Sequence, residues 1–177
     1  MPGYVIHLAI AEEYLEKHKD KAEEHDKFIK GVIFPDGVAD KSLTHYGECS
    51  SKSNLYNYLQ HNDMNESFKR GYFLHLLTDY LFYNKYIETF SKKIVYNDYD
   101  ILNKGIMDKY NVVIPEEIKP YVFFKNEGKP KILTKELVEK FIEDVSNLDL
   151  DIVEKQVKEN KEKWTTYRPL KFITSVD

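Results

Sequence analysis

The sequence predicts an all-α fold: a single domain over residues 1–177, built as a multi-helix bundle. Three observations point there. Apolar residues recur at three- and four-residue spacing in several separated segments, the period of one helix face. A chain of 177 residues is of one-domain length and can bury a core without staples. Its composition, 42% hydrophobic and 32% charged, is that of a globular chain rather than a disordered one.

The elements follow in order. Residues 4–19 read as an amphipathic helix with Tyr4, Leu8, Ile10, Ala11, Tyr14 and Leu15 on one broad face and Glu12, Glu13, Glu16 and Lys19 opposite. His7 and His18 fall on the apolar stripe. The charged run KDKAEEHDK continues this helix or links it to the next element. In GVIFPDG, Pro35 breaks helix and Gly31 and Gly37 free the backbone around a turn. Residues 38–53 are loop-like, and a short helix covers residues 55–60. Asn62 or Asp63 is placed to cap a long helix over residues 64–91. Its stripe runs Phe68, Tyr72, His75, Asp79, Phe82, Tyr86 and Phe90. Residues 98–110 form a further helix, and YVFFKNEGKPKIL, residues 121–133, accommodates a small hairpin around Asn126–Gly128. Thr134 caps a helix to Ser146, and residues 148–164 form the last one, with a dense Glu/Lys face.

Charge and cysteine content narrow the function classes. A net charge of −4 argues against the usual basic nucleic-acid footprint, although a metal could supply positive charge to a small or single-stranded phosphodiester. Cys49 is the only cysteine, so there is no internal disulfide framework. The N-terminal residues lack a basic region and a small-residue cleavage pattern, and no apolar run approaches the roughly 20 residues that span a bilayer. These features lead us to expect a cytoplasmic protein.

The polar residues on apolar stripes carry the chemistry. A buried carboxylate must be paired, protonated or bound to a cation. Asp79 follows His75 by one helical turn, so both side chains lie on one face within reach of a single ion. His7 on its own stripe, Asp36 in the Pro-Asp-Gly turn and His45 in LTHYG add donors from separated segments. Each has an ordinary structural explanation when taken singly. Together they supply the imidazole and carboxylate set of a metal site between helices, the usual make-up of a zinc site.

This arrangement resembles the zinc-dependent phospholipase C family, which is related to the single-strand-specific zinc nucleases. The resemblance rests on a histidine in the first helix, then GVIFPDG, then THY, then GYFLHLLTDYLFY, and it covers about residues 1–90. It implies that Asp36, His45, His75 and Asp79 bind one zinc, and that Asp79 bridges to a second ion also held by His7. Asp36 and Asp79 are then the candidate catalytic carboxylates, and Zn2+, one or two ions, is the implied cofactor. In secreted relatives the terminal amino group completes the second site, a part that Pro2 could play here after loss of Met1. The implied substrate is a phosphoester, either a small molecule or a lipid headgroup, and Tyr46 or Tyr72 could donate hydrogen bonds to its oxygens. The chain departs from the family after Asp79. YLFYNKY places Asn84 and Lys85 where a further ligand belongs, and no histidine follows position 75, so the third metal site of the trinuclear enzymes cannot be built. Two other readings stand beside this one. His25-Asp26 supplies the dipeptide of the HD-domain phosphohydrolases, and a non-catalytic, metal-stabilised module would bind a lipid headgroup or a protein.

Overall fold

A computed structural model describes residues 3–174 of the chain. The fold is all-α, with one two-stranded sheet of two residues per strand. Helix α1 (Tyr4–Lys17) is followed by a 3₁₀ turn that ends at Ala22 in the left-handed region, φ 52°. The charged run then starts a separate helix, α2 (His25–Ile33), which the sequence pattern did not single out. Its charges occupy the first turn, while Phe28, Ile29, Val32 and Ile33 form a buried face.

Helices α3 (Leu55–His61) and α4 (Ser67–Leu81) follow. The long helix expected over residues 64–91 is shorter. Asp63 accepts from the backbone of Asn65 rather than capping α4, and Phe82–Tyr86 is a π-helical turn before the chain straightens. α4 is buried continuously from Arg70 to Tyr80 and lies at the centre of the molecule. A helix enclosed on every side has no solvent face, so its polar residues need partners inside.

α2 and α4 touch backbone to backbone. A Cβ on Gly31 would lie 2.0 Å from the carbonyl oxygen of Phe68, and one on Gly71 would lie 2.0 Å from that of Phe28. Only glycine fits either position, and this contact brings the end of α2 against the middle of α4.

α5 (Lys92–Tyr110) is capped by Ser91 and ends at Asn111 in the left-handed conformation. α6 (Lys135–Ser146) is capped by Thr134, as the sequence predicts. The expected last helix divides at Asn160 into α7 (Leu150–Glu159) and α8 (Lys161–Trp164). β1 (Thr89–Phe90) pairs in parallel with β2 (Lys171–Phe172), tying the chain after α8 to the exit of α4.

Residues 121–133 form no hairpin. The fully buried carboxylate of Asp98 accepts from the backbone N–H groups of Lys131, Ile132 and Leu133 at 2.8–2.9 Å. Asn103 donates to Phe123 O and Lys125 N donates to Asp100 O. The segment satisfies its backbone against α5, so it needs no partner strand. Among the described residues, no helix is long and apolar enough to cross a membrane.

Candidate metal centre

Four side chains converge between α4 and the segment after α2. Asp36 sits in the 3₁₀ turn Phe34–Asp36 that ends α2, His45 follows the 3₁₀ turn Lys41–Leu43, and His75 and Asp79 share one face of α4. One donor atom from each lies within 4.8 Å of the others, and all four are buried. His45 Nε2 is 2.9 Å from Asp79 Oδ2 and 3.6 Å from Asp36 Oδ1. His75 Nε2 is 3.4 Å from Asp79 Oδ2, 3.6 Å from Asp36 Oδ1 and 3.3 Å from His45 Nε2.

His7, on α1, joins from the other side of Asp79. Its Nε2 lies 3.1 Å from Asp79 Oδ1, and its ring stacks on that of His75 with centroids 3.8 Å apart. Asp79 thus turns one oxygen toward His45 and His75 and the other toward His7. All five sequence-predicted site residues are brought together. Pro2 lies outside the described residues.

The local structure aims these groups. His75 Nδ1 donates to Val32 O at 2.6 Å, across the glycine contact of α2 and α4. His45 Nδ1 donates to Lys41 O and to Thr44 Oγ1 at 3.2 and 3.1 Å. A ring nitrogen tied to a carbonyl must carry the proton, which leaves Nε2 of each histidine as the atom facing the cluster. Tyr46, at φ 58°, turns the chain directly after His45. Lys41 Nζ closes the Asp36 loop by donating to the carbonyls of Asp36 and Val38.

The electrostatics are unbalanced without a cation. Neither oxygen of Asp36 has a hydrogen-bond partner, although Lys41 Nζ lies 3.6 Å from Oδ1, and Asp79 Oδ1 and His7 Nε2, although 3.1 Å apart and buried, form no hydrogen bond, nor does His7 Nδ1. Orphaned buried carboxylate oxygens are costly. Burial favours the neutral form of His75, but Asp36 and Asp79 outweigh it and push the imidazole up to about 10. Burial likewise opposes ionisation of both aspartates, yet His75 beside each holds their carboxyls below the usual range, Asp79 well below. His7 is held below its ordinary value by burial and by His75. A proton on His75 therefore sits where a stronger positive charge fits the surrounding donors. The donor set of two carboxylates and two imidazoles, with its unpaired oxygens, fits a divalent metal ion.

A cleft of about 520 Å³ reaches this cluster at Asp36 and Gly37. Tyr4, Tyr96, Tyr99, Tyr121 and Phe123 line it, and none of its lining residues is a lysine, arginine or histidine.

Other candidates fall elsewhere. His25 and Asp26 are exposed at the start of α2, where His25 pairs with Asp26 and Glu12, so the dipeptide is a surface pair apart from the buried cluster. His18 is half-buried, bonded to Ser146 O, and His61 ends α3 on the surface. Tyr72 donates to Thr44 O at 2.5 Å and Tyr46 Oη accepts from Asn62, so both hydroxyls are engaged within the protein. Asn84 is used up structurally, donating to Tyr80 O and accepting from Arg168 N, and Lys85 is exposed. Sequence reasoning missed Thr44 and Lys41, whose only signal is their nearness to His45. No family model, curated protein or solved structure matches the chain.

Proposed function

We propose that this protein is a metal-dependent phosphoester hydrolase that uses zinc and is built without a third metal site. One observation carries the reading. The separations of 2.9–3.6 Å from His45 Nε2 and His75 Nε2 to Asp36 Oδ1, to Asp79 Oδ2 and to each other are close to the edges of a tetrahedral cage, and all four atoms lie within 4.8 Å of one another. Metal–donor arms of about 2.0–2.1 Å require tetrahedron edges of about 3.3–3.4 Å. Asp36, His45, His75 and Asp79 would hold one ion, and His7 with the second oxygen of Asp79 would contribute to another. When bound, zinc supplies Lewis acidity, lowering the pKa of a water and polarising a phosphoryl oxygen.

The chain's own residues do the rest. Val32 O and Lys41 O hold the tautomers of His75 and His45. The cleft walls bring apolar and aromatic surface to the part of the substrate away from the phosphorus and exclude water there. With no basic side chain in those walls, a phosphate anion must find its countercharge at the cluster itself. A phosphodiester or lipid headgroup carrying an apolar group suits such a cleft better than a bare phosphate.

A second reading is favoured by a specific observation. The side chains of His7, Asp36, His45, His75 and Asp79 have no solvent exposure. A closed, four-ligand site is the mark of structural zinc. Elemental analysis of untagged protein tests metal binding, and turnover of a chromogenic phosphodiester, a phosphatidylcholine and single-stranded DNA separates the two readings. We expect slow, zinc-dependent turnover that is lost in Asp79→Asn. Bound metal without turnover would leave the structural reading, and metal-free protein would end both.

A further inference from the structure

Thr44 occupies a junction that neither the sequence motif nor the ligand set accounts for. Its hydroxyl donates to Pro35 O at 2.7 Å, the carbonyl of the peptide that leads into Asp36. The same oxygen accepts from His45 Nδ1 at 3.1 Å. Its own carbonyl accepts from Tyr72 Oη at 2.5 Å, and Tyr72 stands three residues before His75 on α4. One buried residue therefore touches the turn that bears Asp36, the ring of His45 and the helix that bears His75 and Asp79.

We propose that Thr44 is a positioning residue that sets the Asp36 turn and the His45 ring at a fixed separation, and so sets the geometry and affinity of the metal centre. This rests on the metal-site reading above. His45 Nδ1 keeps a second acceptor, Lys41 O, so its tautomer does not depend on Thr44. Fixing one loop relative to the other does depend on it. Asp36 lies on a short turn with no hydrogen bond to its carboxylate, and His45 on a loop that turns sharply at Tyr46. Among the described residues, the Thr44 hydroxyl alone spans from the His45 ring to the backbone immediately before Asp36. Lys41, the other cross-link, reaches the carbonyls of Asp36 and Val38 from a flexible amine that is partly exposed.

The substitution that isolates the hydroxyl is Thr44→Val, which keeps the branched shape and removes the hydrogen bonds. Thr44→Ser restores the hydroxyl without the methyl group. Ser53→Ala is the comparison, because its buried hydroxyl also donates to a backbone carbonyl but lies outside the cluster. The readouts are zinc affinity by competition with a chromogenic chelator and the visible spectrum of the cobalt-substituted protein, which reports coordination geometry. Neither requires turnover.

We expect Thr44→Val to bind zinc about 10- to 100-fold more weakly, as loss of an outer-shell partner does, and to show weakened tetrahedral cobalt bands. Thr44→Ser should recover most of both, and Ser53→Ala should move neither. Equal affinity and an unchanged cobalt spectrum in Thr44→Val would overturn the proposal. Equal losses in Thr44→Val and Thr44→Ser would also overturn it, since the methyl group and not the hydroxyl would then matter. A wild-type protein that binds neither zinc nor cobalt would instead remove the metal-site reading itself, an outcome visible before any variant is made.

Discussion

Replacing Asp79 with asparagine tests the centre most directly. The side chain is wholly buried, with His45, His7 and His75 at 2.9, 3.1 and 3.4 Å. Asparagine keeps the volume but removes the charge and turns an N–H donor toward one of these rings. In metal-free protein the cost is the loss of a charge-assisted hydrogen bond, on the order of 1.5–3 kcal/mol, partly offset by no longer burying an anion. For bound metal the same charge is a ligand, and losing a contact of about 3 kcal/mol weakens binding on the order of a hundredfold. Free zinc at about 1,000 times Kd stabilises the wild type by about 4 kcal/mol, but the variant at the same concentration by only about 1.4 kcal/mol. For a chain of 177 residues, each kcal/mol moves Tm by about 2–4 °C. Chelator should therefore lower the wild-type Tm by about 8–16 °C and that of the variant by about 3–6 °C. The assay is circular-dichroism melting at fixed free zinc, with and without chelator, paired with elemental analysis. His18→Ala is the control, since its ring bonds to Ser146 O outside the cluster. If Asp79→Asn keeps full metal content and the full chelator shift, Asp79 is only a hydrogen-bond acceptor and the assignment of the centre fails.

Other outcomes follow from the same structure. Gly31→Ala should destabilise by about 2 kcal/mol net, because overpacking of about 3 kcal/mol against backbone exceeds the roughly 1 kcal/mol gained in helix propensity; an unchanged denaturation midpoint would contradict the backbone contact. In metal-free protein, the proton on His75 contributes stability that is complete below about 6.5 and lost as pH rises through about 10, while Asp79 contributes stability that is lost in acid as its carboxyl protonates. His7 adds to the acid-side loss, because folding keeps it neutral below about 6.5. Chelated protein should thus melt highest between these limits, and a flat profile from neutral to alkaline pH would count against the His75 pairing. Asp98→Ala should cost about 3 kcal/mol by orphaning buried backbone donors and should expose residues 123–131 to protease; unchanged cleavage there would show that the carboxylate does not hold the segment.

The helices were legible wherever an apolar stripe ran unbroken. Thr134 and the 3.6-residue pattern after it marked α6. α2 was hidden because EEHDK looks like solvated linker, whereas its burial begins only at Phe28. The hairpin expected at residues 121–133 follows from turn residues alone, and Asp98, more than twenty positions away, outcompetes it by taking three backbone donors. In the candidate site, His7, His75 and Asp79 stood out as polar residues on apolar faces. Asp36 and His45 gained meaning only from their order along the chain. Thr44 and Tyr72 act through backbone carbonyls, a role that residue type and spacing do not encode.

The glycine contact between α2 and α4 also limits how the molecule can move. Gly31 and Gly71 each sit against a carbonyl of the opposite helix, with no side chain between the backbones to act as a sliding layer. Packed helices shear by small shifts of interlocked side chains, and here that layer is absent. The two helices, with Asp36 at the end of one and His75 and Asp79 on the other, therefore travel as one body. The other walls of the cleft, Tyr4 of α1, Tyr96 of α5 and Tyr121 and Phe123 of the following segment, are not tied down by that contact. Order parameters measured on the free protein should therefore be higher for α2 and α4 than for these aromatic walls.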